Sequence, residues 1–213
     1  MNQVLSSNLK VIDQATFNSL NPTCQNLVTR VESGDTQSLI TVANNFIYGQ
    51  NDFPMNVNIG MNYLNVGVYK KNVQAMELQG QLLLQGQIVP QDIPRAINIL
   101  NESATITRNA EEKLELARIL LSFQSFDIDS KANETVNYFL AKQMCKDAAS
   151  YGHPHGMVEY AKLCMKEKKN GYGEIHRDFN EAGFYFKRAA ELGDAEGMAN
   201  LGYFIQRGFG GIQ

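Results

Sequence analysis

The chain has 213 residues, 44% of them hydrophobic and 19% charged, and a net charge of −3. That balance gives no overall field for attracting nucleic acid or an acidic membrane surface, and no apolar run nears the roughly 18 residues that cross a bilayer. Nucleic-acid binding and direct membrane insertion are therefore excluded from the reading, and three cysteines, Cys24, Cys145 and Cys164, without a CxxC spacing argue for reduced, buried thiols. Residues 1–10 hold neither a basic leader nor an apolar stretch, so no secretory signal is read there and a cytoplasmic location is expected. Residues 1–34 are expected to form N-terminal capping helices, one or two of them between 4 and 33, with Asn21-Pro22-Thr23 as a helix start.

From Asp35 onward one pattern is written five times. A turn residue is followed eight positions later by Ala or Gly: Asp35 and Ala43, Asn72 and Gly80, Asn109 and Ala117, His153 and Ala161, Asp194 and Gly202. Successive turn residues are 37, 37, 44 and 41 positions apart, which marks one supersecondary unit joined by variable turns. The array therefore covers 35–213, divided at about 35–71, 72–108, 109–152, 153–193 and a partial 194–213.

Each unit reads as two helices. In the clearest one, a first helix from 156 to about 168 places Met157, Tyr160, Ala161 and Cys164 on one stripe at amphipathic spacing. Asn170-Gly171-Tyr172-Gly173 forms the turn, Asp178 caps the second helix, and Ala182, Phe184, Phe186, Ala189 and Ala190 form its packing residues. Gly193 stands where a left-handed cap is wanted. Four positions after a cap-type residue something small recurs: Gly60 after Asn56, Ala96 after Asp92, Ala141 after Asn137, Ala182 after Asp178. Small residues there let two helices approach closely.

These residues resemble the Sel1-like repeat family, relatives of the tetratricopeptide repeats, over about 20–213 and most specifically over 178–210. The Gly that such a repeat carries at the end of its first helix is present as Gly49, Gly86 and Gly208, while Phe123 and Glu167 replace it in the middle units. The resemblance implies an all-α fold, a right-handed α-solenoid of antiparallel helix pairs. The chain ends inside a turn, at the point where a second helix would begin, and is read as a piece of a longer protein or as a face covered by another chain.

Several residues are candidates for chemistry. His153 and His155, with His176 beyond, have the look of a metal pair, but His153 fills the turn position held elsewhere by Asp or Asn, so no metal is assigned. Cys164 aligns with Phe46, Leu83, Leu120 and Ile205 and is read as core, so no catalytic residue is assigned. The glycine-rich turns lack the GxxxxGK[ST] spacing, and Lys166 to Lys169 reads as a solvated helix end. No cofactor is expected.

What remains is a surface. The resemblance to helical arrays implies a concave face lined by the first helix of each pair, at the second, sixth and ninth positions after the turn residue. This gives Gln37, Thr41 and Asn44; Gln74, Leu78 and Gln81; Glu111, Glu115 and Arg118; His155, Glu159 and Lys162; Glu196, Asn200 and Tyr203. Amides dominate early and charges late, since residues 1–107 hold 5 Lys or Arg and 7 Asp or Glu of the 19 and 22 in the chain. The expected function is a non-catalytic scaffold or adaptor that binds a peptide or protein partner, with self-association through the incomplete last repeat as a further route. The alternatives are a weak hydrolase, as implied by cysteine-rich members of the family although their pairing pattern is missing here, and the regulatory repeat arm of a longer protein.

Overall fold

Five turns set the frame. At Asp35, Asn72, Asn109, His153 and Asp194 the backbone N–H donates to the carbonyl five residues back, at Arg30, Gly67, Ala104, Ala148 and Ala189, over 2.9 to 3.2 Å. The side chain of the same residue accepts the N–H three positions ahead, at Ser38, Ala75, Glu112, Gly156 and Gly197. The residue just before it always has positive φ: Gly34, Lys71, Arg108, Gly152 and Gly193. Each turn thus closes one helix and caps the next, and a cap of this kind contributes about 1 kcal/mol.

The computed structural model describes residues 10–122, 131–166, 168–169 and 175–211, with the backbone alone for 131–136, 168–169 and 175–176. In order these form α1 (Gln14–Ser19), α2 (Pro22–Glu32), α3 (Thr36–Tyr48), α4 (Val57–Tyr69), α5 (Val73–Gln85), α6 (Ile93–Thr107), α7 (Ala110–Ser122) and α8 (Lys131–Ser150). Then come α9 (Pro154–Met165), the strands β1 (Lys168–Lys169) and β2 (Ile175–His176), α10 (Phe179–Glu191), α11 (Ala195–Arg207) and a 3-10 turn (Phe209–Gly211). The two short strands pair antiparallel, Lys168 with His176 and Lys169 with Ile175. Apart from them the described residues are all-α, in antiparallel pairs, as the sequence predicts.

The chain divides into two units, residues 1–103 and 104–213, the boundary falling within α6. In the first, α2 begins at Asn21, whose side chain accepts from Cys24 N while Pro22 takes the first helical position. Phe46 of α3 stacks on Tyr63 of α4 at 6.0 Å and meets Phe53 edge-on at 4.9 Å, all three buried. A Cβ placed on Gly60 would lie 2.4 Å from Ile47 Cγ1 and 2.7 Å from the carbonyl oxygen of Ala43, so the contact of α3 with α4 requires glycine.

In the second unit the core is built from α7 to α11. Met157, Tyr160, Ala161 and Cys164 are all buried, as the stripe predicts, and Ala182, Phe186 and Ala189 of α10 are fully covered. Each such large side chain contributes about 1.5 to 3 kcal/mol by leaving water.

Turn length varies between repeats, yet among the described residues one bond recurs in three of them. The N–H of the residue that opens the second helix reaches the first helix's carbonyl eleven positions after the turn residue: Asn56 to Phe46, Asp92 to Leu83, Asp178 to Cys164. Three details differ from expectation. α9 stops at Met165 and not near 168, because Lys166 turns extended and the chain enters the β pair that returns it to Asp178. Phe184 is 53% exposed, lying two residues off the Ala182, Phe186 and Ala189 stripe. Asn137 lies inside α8 and does not cap it, since α8 already begins at Lys131. The turn at 170–173, Phe123 and Glu167 lie outside the described residues.

Candidate functional site

The first-helix stripes behave differently in the two units. In the first, Gln37 and Thr41 on α3 and Gln74 and Gln81 on α5 are exposed, whereas Asn44 and Leu78 are half-buried. Among the described residues the side chains of these six make no hydrogen bond to one another. Two other amides of these helices are buried, which the sequence pattern does not reveal: Gln79, fully buried, donates its Nε2 to the exposed Asn65 Oδ1 at 2.7 Å, which also accepts from Arg95 Nη2 at 2.9 Å. Asn45, 3% exposed, accepts from Asn51 at 2.9 Å. Part of the early richness in amides is therefore internal structure and not surface.

In the second unit the stripe residues come together. Lys162 Nζ donates to Glu159 Oε1 at 2.8 Å along α9 and reaches across to Glu196 of α11. His155 sits between the same two acids, its Nε2 3.7 Å from Glu159 and its Nδ1 3.9 Å from Glu196. Burial works against the Lys162 ammonium, but the hydrogen bonds it donates to Glu159 and Glu196, with their negative charges, outweigh it and hold its pKa above the usual lysine value. On α7, Arg118 Nη1 bonds Glu115 at 3.1 Å. Glu111 meets His153 Nε2 at 2.7 Å. Asn200 turns back to the Glu196 carbonyl at 2.8 Å, and Tyr203, 43% exposed, carries Arg207 over its ring at 5.6 Å.

The histidines separate by role. His153 caps α9 by accepting from Gly156 N at 3.1 Å, so its ring is committed to the turn, as its position predicts. His155 is the one that joins a cluster: donor atoms of His155, Glu159 and Glu196 lie within 4.8 Å of one another, a spacing that a cation can span. In this structure the Lys162 ammonium already contacts both carboxylates. The side chain of His176 lies outside the described residues.

Cys164 is buried in a polar corner between α8, α9 and α10. Tyr160 Oη donates to Glu181 Oε1 at 2.8 Å, Cys164 Sγ lies 3.8 Å from Glu181 Oε2, and Lys146 Nζ approaches Glu181 at 3.5 Å. Burial pushes the Cys164 thiol up, Lys142 opposes this and Glu181 adds to it, leaving a protonated thiol beside a carboxylate. A nucleophilic cysteine needs the opposite, a lowered pKa and an open approach. All three cysteines are free and buried.

No described helix is long and apolar enough to cross a membrane. The Sel1 repeat family profile matches residues 73–105, 155–194 and 195–213. Among solved structures the chain is similar to a Sel1 repeat protein from Oxalobacter formigenes, at 19% identity and a TM-score of 0.64, covering 98% of this chain and 58% of that one. It is also similar to a protective antigen present in uropathogenic Escherichia coli strains displaying an SLR fold, at 19% identity and a TM-score of 0.50, covering 89% of this chain and 38% of that one. At that identity the likeness is one of fold, and the chain spans less than two thirds of either structure. No curated protein matches it closely enough to count as a relative.

Proposed function

Because this chain is a Sel1-like repeat protein, we infer that it is a non-catalytic scaffold whose first-helix stripes bind a peptide or protein partner and help assemble a complex. Sel1 repeats commonly serve protein interaction, and the observation that carries the reading to this chain is the link between His155, Glu159 and Lys162 of α9 and Glu196 of α11. Those four residues form one continuous charged surface across two neighbouring first helices. A held network of this kind presents fixed donors and acceptors, so less side-chain entropy is lost when a partner pairs with it. The amides Gln37, Gln74 and Gln81 offer the first unit's stripe both a donor and an acceptor for an extended backbone. Three buried free thiols suit a reducing compartment, which supports a cytoplasmic adaptor. The hydrolase alternative is disfavoured by the buried, protonated state of Cys164.

The test is a triple variant, Gln81→Ala, Arg118→Ala and Lys162→Gln, used beside the wild type as bait in source-cell lysate. The three side chains are exposed or half-exposed, so helical content by circular dichroism should be unchanged. A protein retained by the wild type and lost by the variant is the expected result. Equal recovery by both rules the stripes out as the working surface.

A further inference from the structure

Five turns open a first helix in the same way, yet one of them differs in the chemistry of its cap. At Asp35, Asn72, Asn109 and Asp194 the atom that accepts the N–H three positions ahead is a side-chain oxygen, at 2.8 to 3.3 Å. A carboxylate or amide oxygen stays an acceptor from about pH 5 to about pH 8. At the remaining turn the acceptor is a nitrogen, since His153 Nδ1 takes the N–H of Gly156 at 3.1 Å. An imidazole is the side chain whose ordinary charge change falls within that pH range.

Both ring nitrogens of His153 are engaged. Because Nδ1 accepts, the single ring proton stands on Nε2, which donates to Glu111 Oε1 of α7 at 2.7 Å. An incoming proton therefore binds at Nδ1, and there it turns the acceptor into a donor that faces the N–H of Gly156. The Glu111 bond survives that change, because Nε2 keeps its hydrogen. The Glu111 side chain is 79% exposed, so its attraction for a charged ring is screened, whereas the amino end of α9 disfavours a cation. The amide of Gly156 has no ready exchange for water: the residue is buried, and a Cβ on it would lie 2.9 Å from Ala148 Cβ. The elements around the turn bring further charged groups. Arg108 lies over the Tyr151 ring at 5.1 Å, α7 carries Glu112 and Lys113, and Lys113 bonds Asp147 of α8. On α9 itself His155 and Glu159 belong to the cluster that the Lys162 ammonium joins, to which no metal is assigned.

We propose that the turn at His153 is an acid-released joint between α8 and α9: proton uptake at Nδ1 breaks the cap on Gly156 and loosens the first turn of α9, which carries His155 toward Glu159 and Glu196. The cap bond and the second ring proton exclude one another. By linkage the closed cap binds fewer protons than the open one, so it is favoured as pH rises and lost as pH falls. The turns at Asp35, Asn72, Asn109 and Asp194 keep their oxygen acceptors over the same range, which confines the response to one joint of the array. The proposal concerns the turn itself and holds whatever the first-helix stripes bind.

The test follows the isotope-labelled full chain by NMR from about pH 8 to about pH 5, recording the ring signals of His153 and the shift and exchange protection of the Gly156 amide. The capped amides of Ala75 and Gly197 serve as references in the same sample. Protection of Gly156 should fall about fivefold, the change that loss of one cap brings, in step with protonation of the His153 ring, while the references hold. His153→Asn, which installs the residue type of Asn72 and Asn109, should keep the cap and abolish the pH dependence. His153→Asp, matching Asp35 and Asp194, is a second variant with the same expected result. A Gly156 amide that stays bonded while the ring is charged, or a ring that takes up no proton down to about pH 5, overturns the proposal. A pH dependence that persists in His153→Asn overturns it as well, by placing the origin outside the turn.

Discussion

Lys113 of α7 is 1% exposed, and its ammonium lies 3.1 Å from the carboxylate of Asp147 on α8 and 2.6 Å from Thr105 Oγ1. It holds the position that Leu39, Met76 and Met157 hold in other repeats, so a charge stands where the pattern calls for an apolar side chain. A buried pair of this kind is not itself strong support for the fold, but removing one partner takes a charge-assisted hydrogen bond from the other. Asp147→Ala should therefore cost about 1.5 to 3 kcal/mol in urea unfolding. Lys113→Met, which restores the residue type of the other repeats, should be neutral or stabilising by about 1 kcal/mol. A Lys113→Met variant as destabilised as Asp147→Ala would show that the ammonium is needed for more than charge balance.

The two glycines Gly60 and Gly202 should respond to the same substitution with opposite sign. Gly60→Ala would drive a methyl against the carbonyl oxygen of Ala43, backbone that cannot give way without moving α3 from α4. The expected cost is about 1 to 3 kcal/mol. Gly202 lies mid-helix with open space around it, so Ala there should add about 0.5 to 1 kcal/mol through its better helix preference. Thermal and urea midpoints of the two single variants decide it, and a loss of stability in Gly202→Ala would contradict the open face of α11.

The fold was legible because its punctuation is local. The five turn residues cap through bonds three and five positions away, which a sequence displays directly, and the small residues at Ala43, Gly80, Ala117 and Ala161 mark the helix contacts. Lys71 and Arg108 were harder to see, since they hold with positive φ the place that glycine holds at 34, 152 and 193. The end of α9 and the pairing of Lys168 with His176 depend on how the chain returns to Cys164, a contact between residues 14 apart that helical periodicity does not encode. Within the candidate site, the resemblance to helical arrays, counted from each turn residue, names His155, Glu159, Lys162 and Glu196, but it does not say that they bond across two helices. The same count sets the exposed amide Gln81 apart from the buried Gln79, but it does not show that Gln79 bonds Asn65.

Alkaline pH offers a test of how tightly the cores of the two units are closed. The Cys145 thiol is pushed up to about 12 from 9.0, first by burial and then by Glu159, with Arg118 opposing. Burial likewise raises Tyr138 to about 12 from 10.0, and raises Tyr63 and Tyr160 in the same direction. Each of these groups keeps its proton in the fold at a pH where the unfolded chain has lost it, so the unfolded state binds fewer protons and stability must fall as pH rises. The contribution from Cys145 is complete below about pH 9 and disappears as pH climbs toward 12. Urea midpoints measured at neutral pH and near pH 10.5 should therefore decline, and Cys145→Ala should flatten that decline by the share of one thiol. At mildly alkaline pH a disulfide reagent should leave Cys24, Cys145 and Cys164 unmodified in the native chain and label all three once urea has unfolded it. Fast labelling of native Cys164 would instead reveal an accessible, activated thiol and return the hydrolase alternative to consideration.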